Sequence, residues 1–172
     1  MDQYFKIGKL VASHGLKGHL VLQHSLGKKT SLKGLEMIFI EEGKDNLMPY
    51  FISDVKIKND EEVFVSLEAI ETKEHARKLT PKDVWITSDD FNKYASASSP
   101  IALLGFTLVN ENEKLGEILE VIEQPHQLLC TILINNKEVL IPIHEESLDK
   151  VDKKKREVHV TLPDGLLDIY LA

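Results

Sequence analysis

The sequence predicts an all-β fold made of two small β-barrels joined by a linker. Roughly ten short apolar runs, separated by turn residues, recur at the spacing typical of small barrels. Only one segment, 71–80, has the pattern of a helix. A polar, aperiodic stretch over 88–100 separates the runs into two sets, which is typical of a linker.

The chain length accommodates two domains of this kind. With 172 residues and 19.5 kDa, each barrel has somewhat under 100 residues, near the lower range at which a core is self-sufficient. We place an N-terminal domain at 1–89, the linker at 90–99 and a C-terminal domain at 100–172.

The N-terminal half is predicted to hold strands and one short helix. Within the segment 71–80, Thr72 is the expected N-cap of the helix, and Pro81 closes the segment. The stretch HGLKG (14–18) is a turn between the first two strands, and Asn59-Asp60 is the turn of a hairpin. The predicted single strands are 4–12, 18–24, 37–43 and 83–87. The segment 48–70 is predicted to form a hairpin, whose second strand is 62–67.

The C-terminal half is predicted to resume with strands. The nearly all-apolar run 128–134 is expected to be buried on both faces, and 145–151 is expected to form one helical turn. The other predicted strands are 101–110, 114–123, 137–143 after the Asn135-Asn136 turn, and the last strand within 153–165, which follows a charged turn.

The charge pattern limits the kinds of partner. The formal net charge is −7 and the pI is near 5.5, which argues against a generic duplex-binding module. Two local basic segments stand out against this background. The first 33 residues hold six lysines and one acid, and the run Lys153-Lys154-Lys155-Arg156 is the other. Nucleic acid would have to be contacted through such patches, or through a basic protein.

Catalytic, metal and cofactor sites are not predicted. His14, His19 and His24 recur every five residues, which places successive side chains on opposite faces of a strand. Cys130 lies in an apolar run and is expected to be a buried hydrophobe. Adjacent helical residues such as Glu74 and His75 do not face each other, so they form no acid–base pair. The residues themselves therefore give no reason to infer a reactive centre.

The HGLKG turn has two interpretations. It lacks the GxxxxGK[ST] order and joins strand to strand, whereas a phosphate loop uses a helix N-terminus after its glycines. Gly15 and Gly18 therefore supply positive φ or a close backbone approach. His14 and Lys17 are either simply solvated or contact an anionic surface. The same choice, a solubilising turn or a contact with ribosomal RNA or an acidic protein patch, holds for 153–156.

The order of these features resembles the ribosome maturation factor RimM family, also called the 16S rRNA processing proteins. The resemblance covers nearly the whole chain. It rests on IGKLVASHGLKGHLVL (7–22), EHARKLTPKDVWIT (74–87), LLGFTLVN (103–110), LGEILEV (115–121), EVLIPI (138–143) and PDGLLD (163–168).

The resemblance implies a six-stranded N-terminal barrel like that of translation factors, and a C-terminal PRC-type barrel. It implies a non-enzymatic factor that binds the head of the immature 30S subunit through the nineteenth small-subunit ribosomal protein and assists the folding of 16S rRNA. Candidate contacts with the protein or the rRNA are Lys9, His14, Gly15, Lys17, Gly18, Tyr94, Leu104, Gly105, Lys153, Lys154, Lys155 and Arg156.

One departure from the family pattern concerns a surface aromatic pair. Many members have Tyr-Tyr a few residues before the element that LLG (103–105) matches. Here that position holds Ser98-Ser99, with Ala102 where an acid is usual. Either the partner surface has changed, or Tyr94 and Phe91 take the place of the pair.

Two other functions are compatible with the sequence. A flavin- or cofactor-binding barrel would be yellow or have a deep polar pocket, and a plain RNA-binding barrel would show a strong salt dependence with naked RNA. For the family function, we expect a soluble cytoplasmic monomer without a cofactor or a membrane contact. We also expect the two lobes to divide the work: the acidic C-terminal lobe meets the basic ribosomal protein, and the locally basic N-terminal edge meets rRNA.

Overall fold

The computed structural model describes the backbone of residues 3–171 and the side chains of residues 3–169. The fold is mainly β, as predicted, and the chain divides after Ser99 into two compact units. The first unit contains strands β1 (Tyr4–His14), β2 (His19–His24), β3 (Met37–Glu41), β4 (Leu47–Ile57), β5 (Glu62–Leu67) and β6 (Asp83–Thr87), with helices α1 (Lys73–Arg77) and α2 (Ser88–Tyr94).

The six strands of the first unit close into a barrel in the order β1-β2-β5-β4-β3-β6. Closure pairs β1 with β6, which leaves this sheet without a free edge. Alternate residues of each strand fill the interior because successive side chains point to opposite faces. The fully buried interior positions include Ile7, Leu20, Leu22, Ile38, Ile40, Val65, Val84 and Ile86. The six-stranded barrel implied by the family resemblance is confirmed.

Helix α1 confirms the one helix that the sequence predicts. The hydroxyl oxygen of Thr72 accepts a hydrogen bond from the His75 amide at 3.1 Å, as expected of an N-cap. Ala76 and Leu79 face the core, and the segment ends before Pro81.

Helix α2 was not predicted, and it occupies part of the stretch expected to be a linker. The Thr87 hydroxyl accepts from the Asp90 amide at 3.3 Å, so Thr87-x-x-Asp90 caps the helix. Phe91 then packs against Phe5, with ring centroids 5.0 Å apart and planes at 70°. A good cap and one buried aromatic residue are enough to order a segment that has no apolar period.

The second unit contains two sheets. A three-stranded sheet has the order β11-β10-β9, and a four-stranded sheet has the order β12-β13-β7-β8 with β13 parallel to β7. The strands are β7 (Thr107–Asn110), β8 (Glu113–Glu117), β9 (Glu120–Gln124), β10 (Gln127–Ile134), β11 (Lys137–Ile143), β12 (Leu148–Asp152) and β13 (Glu157–Val160), preceded by a short 3-10 helix (Pro100–Leu103) and followed by helix α3 (Leu166–Leu171).

Several predictions for this unit are wrong. The 3-10 helix replaces the first half of the strand expected over 101–110, and α3 was not predicted. The run 114–123 forms two strands rather than one, with Ile118 fully buried between them. The segment 145–151 forms a turn only at its start, where the Ser147 and Leu148 amides donate to the His144 carbonyl oxygen at 3.0 and 3.1 Å, and it continues as strand β12 from Leu148.

The run 128–134 is buried on one face only, which also contradicts the prediction. Cys130 and Ile132 face the core, whereas Leu133 is 45% exposed. The run is therefore continuously apolar because its exposed outer face is apolar too, and not because both of its faces are buried.

Candidate docking surfaces

The opening loop, residues His14–Gly18, connects β1 to β2. The His14 ring packs on Phe64 with centroids 4.6 Å apart, and His14 lies opposite His19 in the strand register. Leu16 is 80% exposed, and Lys17 beside it is also exposed. The loop therefore presents an imidazole, an aliphatic side chain and an ammonium group together. Sequence reasoning did not single out Leu16.

The two glycines of this loop have different roles. Gly15 has φ +72° and open space where a Cβ would lie. Gly18 has φ +83°, and a Cβ there would lie 2.9 Å from the Ile70 carbonyl oxygen and 3.0 Å from backbone atoms of Thr72. Gly18 is buried, so it fixes the loop against the N-cap of α1 and is not itself a contact surface.

Lys9 lies on the barrel wall and is exposed. Its register partners are Gln23 on β2 and Asp83 on β6. Lys28 and Lys29 are exposed in the loop that follows β2. The lysines of the first 33 residues are therefore spread over the wall and the loops of the barrel.

Many family members have a Tyr-Tyr pair where this chain has Ser98-Ser99. Tyr94 is the one aromatic residue near that position that remains partly exposed. Its hydroxyl donates to the Lys33 carbonyl oxygen at 2.9 Å, and burial together with nearby Asp90 raises its pKa. Phe91 is buried in the barrel core, so it cannot replace a surface aromatic residue. Ser99 lies directly over Gly27, where a Cβ on the glycine would collide with it.

Leu104 lies in the interior of the second unit, and Gly105 next to it is half-buried. The Leu104 side chain is 2% exposed. Gly105 adopts φ +84°, and its amide donates to the Ile118 carbonyl oxygen at 2.9 Å. We assign both residues to the packing of the 3-10 helix onto the sheet rather than to a contact surface.

The lysine turn, Lys153–Arg156, joins β12 to β13. The Asp152 carboxylate accepts hydrogen bonds from the Lys154 and Lys155 amides at 3.1 and 3.0 Å, and these bonds lower its pKa. The Arg156 guanidinium lies over the Phe106 ring at 4.9 Å. The turn is therefore fixed at both ends, and three exposed lysines project from it.

An apolar sheet face forms a further candidate surface that sequence reasoning missed. On the outer side of β9, β10 and β11, Leu129 lies opposite both Ile122 and Pro142, and Thr131 lies opposite both Glu120 and Leu140. The outer sheet face consists of Ile122, Leu129, Thr131, Leu133, Leu140 and Pro142, with Glu120 and Glu138 as its charged members. This apolar surface is therefore a candidate interaction site.

Reactive groups are not gathered on these surfaces. Within residues 3–171, His, Cys, Asp and Glu side chains form no group of three that could hold a metal ion. Cys130 is a free, buried thiol, as predicted, and desolvation raises its pKa to about 12. None of the helices described is long and apolar enough to cross a membrane.

Comparison with known proteins identifies the family. The RimM N-terminal domain family matches residues 5–91, and the RimM PRC barrel domain family matches residues 100–166. The chain is 31% identical to the ribosome maturation factor RimM of Parabacteroides distasonis, and the match covers 98% of each chain. It is 28% identical to that of Christiangramia forsetii over 99% of this chain and 98% of the relative. Because both domains match in order and together span most of the sequence, the chain belongs to the RimM family.

Proposed function

We propose that this protein is a ribosome maturation factor that acts on the small ribosomal subunit and its 16S rRNA. The observation that carries the proposal is the ordered match of both RimM domains, over 5–91 and 100–166. Relatives aligned over nearly their whole length carry the name ribosome maturation factor RimM. We further propose that it works as a cytoplasmic monomer, by binding and without catalysis.

The second unit is proposed to bind the nineteenth small-subunit ribosomal protein at the head of the immature 30S subunit. Residues 100–172 hold 13 acids and seven lysines or arginines, a net charge of −6. The outer sheet face adds an apolar surface whose charged members are both acidic. Apolar contact gives affinity, and negative charge attracts a basic protein and speeds encounter.

The opening loop and the lysine turn are proposed to contact 16S rRNA. Lys17 and His14 project from a loop that Gly18 holds in place, and Lys9 adds charge on the adjoining strand. Lys153, Lys154 and Lys155 project from a turn fixed by Asp152 and Arg156. Cations held on ordered turns bind phosphates without first losing much backbone freedom.

Co-sedimentation with purified immature and mature small subunits tests the function. We expect the full chain to pellet preferentially with immature subunits. A double variant on the outer sheet face, Leu133→Ser with Leu140→Ser, should weaken binding about tenfold. The matched control is Ile57→Ser, a similarly exposed apolar position on β4 of the other unit.

Salt and RNA controls separate the two proposed contacts. Charge reversal at the lysine turn (K153E/K154E/K155E) should lower the salt dependence of particle binding, because fewer counterions are released. Equal binding to both kinds of subunit would overturn the maturation function. Tighter binding to naked 16S rRNA than to the particle would favour a plain RNA-binding barrel instead.

A further inference from the structure

The outer wall of the N-terminal barrel carries a second apolar cluster, far richer in aromatic side chains than the surfaces described above. Phe39 lies opposite Trp85 on one side and opposite Pro49 on the other. The Tyr4 and Phe39 rings meet edge to face, with centroids 4.7 Å apart. We name this cluster the aromatic face; it consists of Tyr4, Met37, Phe39, Pro49, Phe51 and Trp85, on strands β1, β3, β4 and β6.

These side chains are not part of the barrel core. Their neighbours along the strands, Phe5, Ile38, Ile40, Val84 and Ile86, are the residues that fill the interior. Phe51 is 56% exposed, and Pro49 is exposed beside it. The aromatic face holds four of the eleven Phe, Tyr and Trp residues of the chain, a concentration that is typical of interface cores rather than of solvent-facing barrel walls.

The charges around this face favour one kind of partner. Glu41 and Asp83 lie next to each other, and burial and Asp83 together raise the pKa of Glu41. Lys6 forms an ion pair with Asp83 at 3.9 Å, and Lys82 forms one with Glu42 at 3.8 Å. Exposed Glu36 precedes Met37 at the other side of the face. Four acids and two lysines lie here, and two of the acids are ion-paired, so the remaining charge is negative and favours a cationic chain over a phosphate backbone.

We propose that the aromatic face docks an extended, basic polypeptide segment of the immature small subunit. Arginine or lysine side chains of the segment stack on Trp85 and Phe39 and pair with Glu41, beside the ion pair of Lys6 and Asp83, while its apolar side chains cover Phe51 and Met37. Guanidinium groups combine stacking on aromatic rings with bidentate pairing to carboxylates, which is the chemistry this face offers. The inference rests on the proposed function, which supplies the particle, and assigns the N-terminal barrel a protein contact as well as its rRNA contact.

Site-specific photo-crosslinking tests this assignment with the full chain. Phe51 is replaced with p-benzoylphenylalanine, and the labelled protein is bound to purified immature small subunits and irradiated. Ile57, on the same strand but outside the aromatic face, receives the same label as the matched control. Trp85 is the only tryptophan, so its emission spectrum reports whether each variant keeps the barrel folded. We expect a protease-sensitive, ribonuclease-resistant adduct from position 51, and its mass spectrum should identify a basic small-subunit protein.

Affinity measurements complete the test. Phe51→Ser should weaken binding to immature subunits at least about fivefold relative to Ile57→Ser. A ribonuclease-sensitive adduct at position 51, an adduct with an acidic protein, or no adduct with normal co-sedimentation would overturn the inference and leave the proposed function standing. Loss of co-sedimentation by the unlabelled chain would overturn the proposed function first, and the docking assignment with it.

Discussion

Replacing each glycine of the opening loop with alanine separates backbone conformation from close packing. Both Gly15 and Gly18 have positive φ, so alanine is strained at either position. Only at Gly18 would the added methyl group meet other atoms, at 2.9 Å from the Ile70 carbonyl oxygen and 3.0 Å from the backbone of Thr72. Gly15→Ala therefore serves as a control for conformation alone.

The expected magnitudes follow from these distances. The left-handed conformation costs an alanine about 1–2 kcal/mol, and the lower entropy of the unfolded chain returns about 0.4–1 kcal/mol of that. Gly15→Ala should therefore lower the free energy of unfolding by about 1 kcal/mol. Gly18→Ala adds overpacking against backbone atoms that cannot rotate away, about 1–3 kcal/mol more. The total loss for Gly18→Ala should be about 2–4 kcal/mol.

Urea unfolding followed by the fluorescence of Trp85 measures this difference in the barrel that contains the loop, because the chain has one tryptophan. With a denaturant slope of about 1–3 kcal/mol per molar urea, the midpoint for Gly18→Ala should fall by about 1 M or more, and that for Gly15→Ala by roughly half a molar. Equal losses in the two variants would refute the conclusion that Gly18 holds the loop against the cap of α1.

Two further predictions concern buried titratable groups. The Nδ1 of His24 accepts a hydrogen bond from the Leu26 amide, and its Nε2 is buried without a partner. Desolvation lowers the pKa of this imidazole in the native barrel. The unfolded chain therefore binds more protons than the native barrel just below pH 6.5. Barrel stability should therefore fall as the pH drops from 6.5 toward the lowered native pKa, and His24→Gln should remove that part of the pH dependence in urea titrations. Burial raises the pKa of the Cys130 thiol to about 12. A disulfide reagent at pH 8 should therefore leave the thiol of the native chain unmodified and label it only when urea unfolds the chain. Fast labelling of the native chain would contradict the placement of Cys130 in the core.

Periodicity predicted the first barrel well because alternation and turn chemistry agree along most of its strands. Strands β5 and β6 lie where they were expected, and Thr72 caps the predicted helix. The errors fall where one local interaction outweighs a weak pattern. Thr87 and Asp90 cap a helix in a stretch that lacks an apolar period, and the buried Phe91 then anchors it. Only the capping signal could have revealed α2 in advance.

The candidate surfaces were harder to predict, because a single sequence does not show which strands become neighbours. Lysines and the HGLKG glycines are visible as local patterns, and the structure places the side chains of His14 and Lys17 on a surface. Leu104 was a candidate contact because of the family resemblance, and the structure shows that its side chain is buried. Tyr4, Phe39 and Trp85 are far apart in the chain and come together only through the pairing of β6 with both β1 and β3.

The closed barrel itself explains why an aromatic surface can persist on its wall. The fully buried interior side chains hold the strands in register from the inside, so the outer positions of β3 and β6 need not contribute to folding. Tyr4 and Phe39 nevertheless pack edge to face there, and the Trp85 Nε1 is buried without a hydrogen-bond acceptor. Phe51 stays 56% exposed on this wall, beside half-buried Tyr4, Phe39 and Trp85, and an aromatic surface of this kind is suited to contact with a partner.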